Sequence, residues 1–299
     1  MARALVIINP AAARTRASSV SAVTAAIRSG GWDAEVLATG GPGDARILAE
    51  YGVRDGFDVV AVFGGDGTTM QAAAALVGTD VILGVIPGGT GNLLAGNLRI
   101  PAAPARAAEV IVRGTPKRFD LGHMERPGGS QYFAVACGAG YDARVMAGTA
   151  SAMKHKWKFA AYVATTFRLL DELRISRHYI TVDGVEYEAE AAMVLVANCG
   201  EVIPPFVRLR SGITPDDGML DVIVLKASNM LESVRAIWHL LRERPEGEFI
   251  RYARGREVRV VTDPVEPVQL DGEPGGVTPF TATIVPGAIR VMVPLSGAR

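Results

Sequence analysis

The chain has 299 residues, 49% of them apolar, and 31 Lys plus Arg set against 31 Asp plus Glu. That length and apolar share are enough for two domains with a substantial core. The zero formal charge removes any global field for gripping nucleic acid or an anionic membrane.

The apolar run 4–8 reads as a strand and stops at Asn9-Pro10, too short for a signal peptide. No apolar run is long enough to span a bilayer, so the expectation is a cytoplasmic protein, at most peripheral at the inner membrane face. Helix 19–29, strand 34–38 and helix 44–51 follow. The run 59–63 then ends abruptly at Gly64-Gly65-Asp66-Gly67-Thr68, ahead of an alanine-rich helix pattern. Glycines at a helix start let backbone N–H groups approach an anion, so this loop suits phosphate. Asp66 would repel a bare phosphate and so points to a metal ion or a hydroxyl, although Gly-Asp-Gly is also an ordinary turn.

A second unit of the same kind follows at once. Strand 81–86 ends in Pro87-Gly88-Gly89-Thr90-Gly91-Asn92, before Leu93-Leu94-Ala95. Right-handed crossovers put both loops on the C-terminal edge of one parallel sheet, which favours a nucleoside triphosphate over a single phosphate. Neither loop is a Walker A motif or a full dinucleotide fingerprint. Helix 102–113 closes an alternating βα series, the pattern of an open, mostly parallel sheet with helices on both faces.

Near 117–122 the pattern changes to strands. The run 132–137 alternates, and 179–182 and 185–188 flank Asp183-Gly184, a type I′ hairpin signal. Strands are also expected at 193–197, 220–225, 257–261 and 289–293, with helices at 159–173 and from Asn229. The fold class is therefore an α/β N-terminal domain over 1–122 and a mainly antiparallel β-rich C-terminal domain over 123–285. Cys137 and Cys199 lie in apolar strand-like runs and read as buried free thiols.

Several acids remain. Thr214-Pro215-Asp216-Asp217-Gly218-Met219-Leu220-Asp221 leads into a strand; its adjacent carboxylates favour a cation if ordered and are a solvated turn if not. Leu270-Asp271-Gly272-Glu273 ends another strand. If extended, it points two carboxylates the same way about 6.5 Å apart, one able to take a hydroxyl proton while the other holds magnesium. A surface hairpin turn is the alternative. Asp120 at the domain junction, and Asp142 after Gly138-Ala139-Gly140-Tyr141, have ordinary structural explanations as well. The segment 153–159, with three lysines among aromatics, suits either a headgroup interface or a solvated helix start. The scattered histidines have no ligand spacing, and no nucleophile elbow occurs.

Taken together and in order, Gly64 to Thr68, Pro87 to Asn92, Pro215 to Asp221 and Asp271-Gly272-Glu273 resemble the diacylglycerol kinase catalytic-domain family. That family includes bacterial soluble lipid kinases and the sphingosine and ceramide kinases. Asn9-Pro10 and Gly138 to Asp142 fit the same pattern. The resemblance implies the two-domain NAD kinase/diacylglycerol kinase-like fold, with segment 286–299 returning to the first domain. It implies ATP and Mg2+, a lipid acceptor met by peripheral contact at a membrane surface, a place in phospholipid metabolism, and no nucleic acid partner. A homodimer is compatible with it.

By the same resemblance, Gly64, Gly65, Gly67, Thr68, Gly88, Gly89, Thr90, Gly91 and Asn92 hold ATP with Asn9. Asp271 is the general base. Asp66, Asp120, Asp217 and Glu273 surround the catalytic magnesium. The Asp216 to Met219 turn matches a structural metal site of some members. Two departures stand out: Leu93 replaces an acid common in bacterial members, and Ala11-Ala12-Ala13 leaves phosphate contact in the first loop to Arg14 or Arg16. The rival readings are an NAD kinase-like enzyme and a catalytically weak nucleotide- or lipid-binding regulator.

Overall fold

The computed structural model describes residues 1–140, 143, 175–203, 207–210, 212–226, 232 and 250–295. The expected helices 159–173 and from Asn229, the segment 153–159, and Tyr141 and Asp142 lie outside the described residues. The chain divides into two compact units, Met1–Asp120 with Gly287–Arg299, and Leu121–Pro286.

The first unit alternates strand and helix in the order β1 (Arg3–Ile8), α1 (Ala17–Ser29), β2 (Asp33–Ala38), α2 (Asp44–Arg54), β3 (Val59–Gly64), α3 (Asp66–Leu76), β4 (Ile82–Pro87), α4 (Leu93–Asn97) and α5 (Pro104–Arg113). Strand β5 (Thr115–Arg126) then leads out of it. The spatial order is β2-β1-β3-β4, all parallel. Every residue of β3 is buried, as its unbroken apolar run requires for a strand covered on both faces. Right-handed crossovers place α1 on the face opposite α2 and α3, because the chain reverses direction across the sheet after β2. In keeping with this, α1 packs beside α5 and α2 beside α3, giving three layers. The reversal falls between β1 and β3, so the crevice for a ligand lies beyond the carboxyl ends of those two strands.

The second unit is β-rich. Its strands are β6 (Gly129–Phe133), β7 (Ala136–Gly140), β8 (Ser176–Val182), β9 (Val185–Ala191), β10 (Met193–Ala197), β11 (Glu201–Ile203), β12 (Val207–Arg208), β13 (Leu220–Leu225), β14 (Ile250–Gly255), β15 (Glu257–Asp263), β16 (Pro267–Leu270) and β17 (Glu273–Val277). The start of β18 (Phe280–Val293) belongs here too. One antiparallel sheet runs β14-β13-β10-β7-β16-β17. Strand β18 pairs antiparallel with β15, β15 with β8, and β8 with β9. Phe133, Cys137, Ile180, Val194, Val222, Val260 and Phe280, among others, pack into one core. The β8–β9 turn is the expected one, with φ of 48° at Asp183 and 84° at Gly184.

Two expectations are corrected. The run 132–137 is not one strand; it breaks at Ala134-Val135 into β6 and β7. The segment 271–273 is not extended. Asp271 and Gly272 have φ of 46° and 82° and form the turn between β16 and β17, so the alternative of a hairpin holds. Both corrections have one cause, described below. Among the described residues no helix is long and apolar enough to cross a membrane.

Candidate active site

Three loops meet at the carboxyl edge of the first unit's sheet. Gly88 N–H and Gly89 N–H both donate to Gly64 O, at 2.8 and 3.1 Å, so the loop after β4 folds onto the end of β3. The approach demands glycine: a Cβ on Gly89 would stand 2.5 Å from Gly65 Cα, backbone against backbone. Asn92, at φ 53°, closes the loop by exchanging hydrogen bonds with Gly89, each 3.0 Å. The loop after β1 joins through Asn9, whose Nδ2 donates to Thr68 Oγ1 at 2.9 Å while its N–H donates to Phe63 O. Arg14 N–H donates to Gly88 O at 3.1 Å, and its guanidinium reaches Ala102 O. Thus Asn9, Arg14, Gly64, Gly65, Thr68, Gly88, Gly89 and Asn92 are brought together.

Helix α3 begins at this meeting point. Gly65 precedes it without any side-chain cap, so its first-turn N–H groups, including those of Gly67 and Thr68, are directed out of the helix at the loops. This donor set fits a phosphate group. Asp66 in that first turn reaches across to the next helix, where its Oδ1 accepts Leu93 N–H at 2.7 Å. It therefore caps α4, whose own N-cap Asn92 makes no side-chain cap. A Cβ on Gly91 would stand 2.7 Å from Asp66 Oδ2, so the carboxylate lies directly against that glycine. The sequence reading missed this link, since Leu93 takes part through its backbone.

The other acids are placed differently. Asp120 is 3% exposed and its Oδ1 accepts Gly287 N–H at 2.6 Å, tying the chain's late segment into the first unit. In the second unit, half-buried Asp271 turns its carboxylate onto three successive backbone donors. Ala134 N–H lies 2.8 Å from Oδ2, while Val135 and Ala136 N–H lie 2.8 and 3.0 Å from Oδ1. From the other side Asn198 Nδ2 and Cys199 Sγ donate to Ala134 O. The clamp explains both findings: Ala134 and Val135, whose N–H groups turn onto the carboxylate, leave the strand, which resumes at Ala136, and the turn at 271–272 aims that carboxylate. Glu273 opens β17 and is exposed. Burial pushes the Cys199 thiol well above its usual range, and both cysteines are buried and outside any disulfide.

The turn 214–219 holds a different arrangement. Asp217 Oδ1 accepts Met219 N–H at 3.0 Å, and its Oδ2 accepts the Thr214 hydroxyl at 3.2 Å and an Arg254 N–H. Arg254 Nε also lies 3.8 Å from Asp221 Oδ1, which accepts the Tyr252 hydroxyl. Burial pushes the Asp221 carboxyl up, against the Tyr252 hydrogen bond and the Arg254 charge, and burial with Asp221 pushes the Tyr252 hydroxyl up to about 12. Asp216 is exposed. Within either unit, no three His, Cys, Asp or Glu side chains among the described residues gather into a set that could hold a metal ion.

Known proteins resemble this chain over nearly its whole length. Residues 3–124 match the diacylglycerol kinase catalytic domain, and residues 135–293 the YegS C-terminal NAD kinase beta sandwich-like domain. The chain is 29% identical to a diacylglycerol kinase of Bacillus subtilis, covering 100% of this chain and 99% of the relative. It is 32% identical to a YegS-like lipid kinase of Pseudomonas fluorescens, covering 94% of each. A solved structure described as a candidate diacylglycerol kinase of Bacillus anthracis superposes with a TM-score of 0.80 at 26% identity, over 97% of each chain. Shared architecture and sequence over both units lead to one conclusion: the chain belongs to the diacylglycerol kinase and YegS-like family of lipid kinases and is a phosphotransferase with an alcohol group as acceptor.

Proposed function

We propose that this lipid kinase moves the γ-phosphoryl group of ATP to the hydroxyl of diacylglycerol or a related sphingoid-type lipid, with Mg2+, meeting its acceptor by peripheral contact at a membrane surface. The observation that carries the nucleotide half is the convergence of the loops after β1, β3 and β4 on the uncapped start of α3, at the reversal point of the sheet. Backbone N–H groups of Gly65, Gly67, Thr68, Thr90 and Gly91 would bind phosphate oxygens, with Gly89 holding the two loops together and Asn9 and Arg14 fixing the first loop against them. Asp66 stands at these loops and would hold the magnesium ion, which supplies charge neutralisation on phosphate oxygens when bound.

Asp271 is proposed as the group that receives the acceptor hydroxyl. Its three backbone donors hold the carboxylate in one orientation. Phosphoryl transfer with a loose transition state depends on placement more than on early proton removal, and a fixed acceptor serves placement. Glu273, exposed beside the same turn, would assist it, and its resemblance-based part in holding magnesium belongs to the same proposal.

The test is transfer of radiolabelled phosphate from ATP by the full chain over a panel of diacylglycerols, sphingoid bases and ceramides, with NAD as a further acceptor. Labelling of a lipid alone supports the reading; labelling of NAD, or of nothing, overturns it. Asp66→Ala is expected to lower magnesium-dependent kcat about a hundredfold, the loss usual for one preorganised charge-stabilising group. It should also cost about 1 kcal/mol of stability through the lost cap on α4. A magnesium titration of kcat and a urea melt check the two parts separately.

A further inference from the structure

The resemblance assigns a structural divalent metal to the turn Asp216 to Met219, and the residues present do not fit one. We infer that the Arg254 guanidinium is the resident cation of this turn, so that the second unit keeps its shape with no divalent ion.

Register fixes the arginine in place. Arg254 lies directly opposite Asp221 in the β13–β14 ladder, and Tyr252, opposite Ile223, is the diagonal neighbour on the same face. The guanidinium thereby reaches two carboxylates at this turn, Asp217 and Asp221. Each is committed elsewhere as well: Asp217 to Met219 N–H and the Thr214 hydroxyl, Asp221 to the Tyr252 hydroxyl. Asp221 is 2% exposed, and a carboxylate so buried requires a charged or hydrogen-bonding partner. A second guanidinium, that of Arg210, lies 4.5 Å above the Tyr252 ring. Arg254 thus already places a positive charge between Asp217 and Asp221, and a divalent ion added there would meet that guanidinium; the turn's third acid, Asp216, is exposed. Arg254 also extends its planar fork toward two acceptors at once, a geometry lysine does not supply.

This assignment is independent of which lipid is phosphorylated. It separates any magnesium requirement of the reaction from this turn.

Thermal unfolding of the full chain without nucleotide, in EDTA and in millimolar MgCl2 or CaCl2, tests it, alongside terbium luminescence sensitised through Tyr252. For the unsubstituted chain the melting temperature should be the same in all three solutions, with no terbium emission that Asp217→Asn removes. Arg254→Ala should melt several degrees lower, recover part of that loss on adding CaCl2 or MgCl2, and gain Tyr252-sensitised emission. A saturable stabilisation of the unsubstituted chain by either ion, abolished by Asp217→Asn, overturns the inference. So does an Arg254→Ala chain that folds and ignores both ions. The comparison of the unsubstituted chain with Asp217→Asn decides the matter even where Arg254→Ala fails to fold.

Discussion

Asp271→Asn is expected to abolish lipid phosphorylation, to leave ATP binding unchanged, and to lower stability by about 2–3 kcal/mol. The stability loss follows from the carboxylate's three backbone donors at 2.8, 2.8 and 3.0 Å. An asparagine offers one acceptor oxygen and turns an N–H toward at least one of those donors, leaving it unpaired in a half-buried place. Isothermal titration with ATP, a transfer assay and a urea melt separate the parts, with the midpoint moving and the slope unchanged. Full transfer with reduced stability would leave Asp271 as an anchor alone. Retained stability would refute the clamp on Ala134 to Ala136.

Gly89→Ala is expected to weaken ATP binding tenfold or more, roughly 1.4 kcal/mol or above. Its methyl would meet Gly65 Cα at 2.5 Å, and neither partner is a side chain that can rotate away. The two loops must part, straining the hydrogen bonds from Gly88 and Gly89 to Gly64 O that hold them. Overpacking of this kind costs about 1–3 kcal/mol even before a ligand is considered. Gly41→Ala is the control: a Cβ there meets nothing within 4 Å, and ATP affinity should stay as it was. Equal affinity in both variants would remove the loop contact from the nucleotide site.

The first unit was legible because its signals are local. Strand β3 is an apolar run ending in Gly64 with α3 starting at Asp66, and β4 is one ending in Pro87 before Gly88-Gly89, with α4 starting at Leu93. The break between β6 and β7 was not legible, since its cause is a carboxylate 135 to 137 residues further along the chain. The same residue decides between the two readings left open for 271–273, because the positive φ at Asp271 makes the segment the hairpin turn. Asp217 could be recognised as an acid in want of a cation, but its partner Arg254 becomes visible only with the β13–β14 register. Asp66 and Leu93 show a further limit, because a backbone donor leaves no trace in residue identity.

The sheet of the first unit is completed by residues far from its others. Arg290 and Val291 of β18 pair in parallel with Ile82 and Leu83, and Gly78 N–H donates to Ala288 O. During synthesis on the ribosome, β4 must therefore wait with a bare edge while the whole second unit emerges. Products truncated before 287 should expose that edge and aggregate, making this half the one most dependent on chaperones.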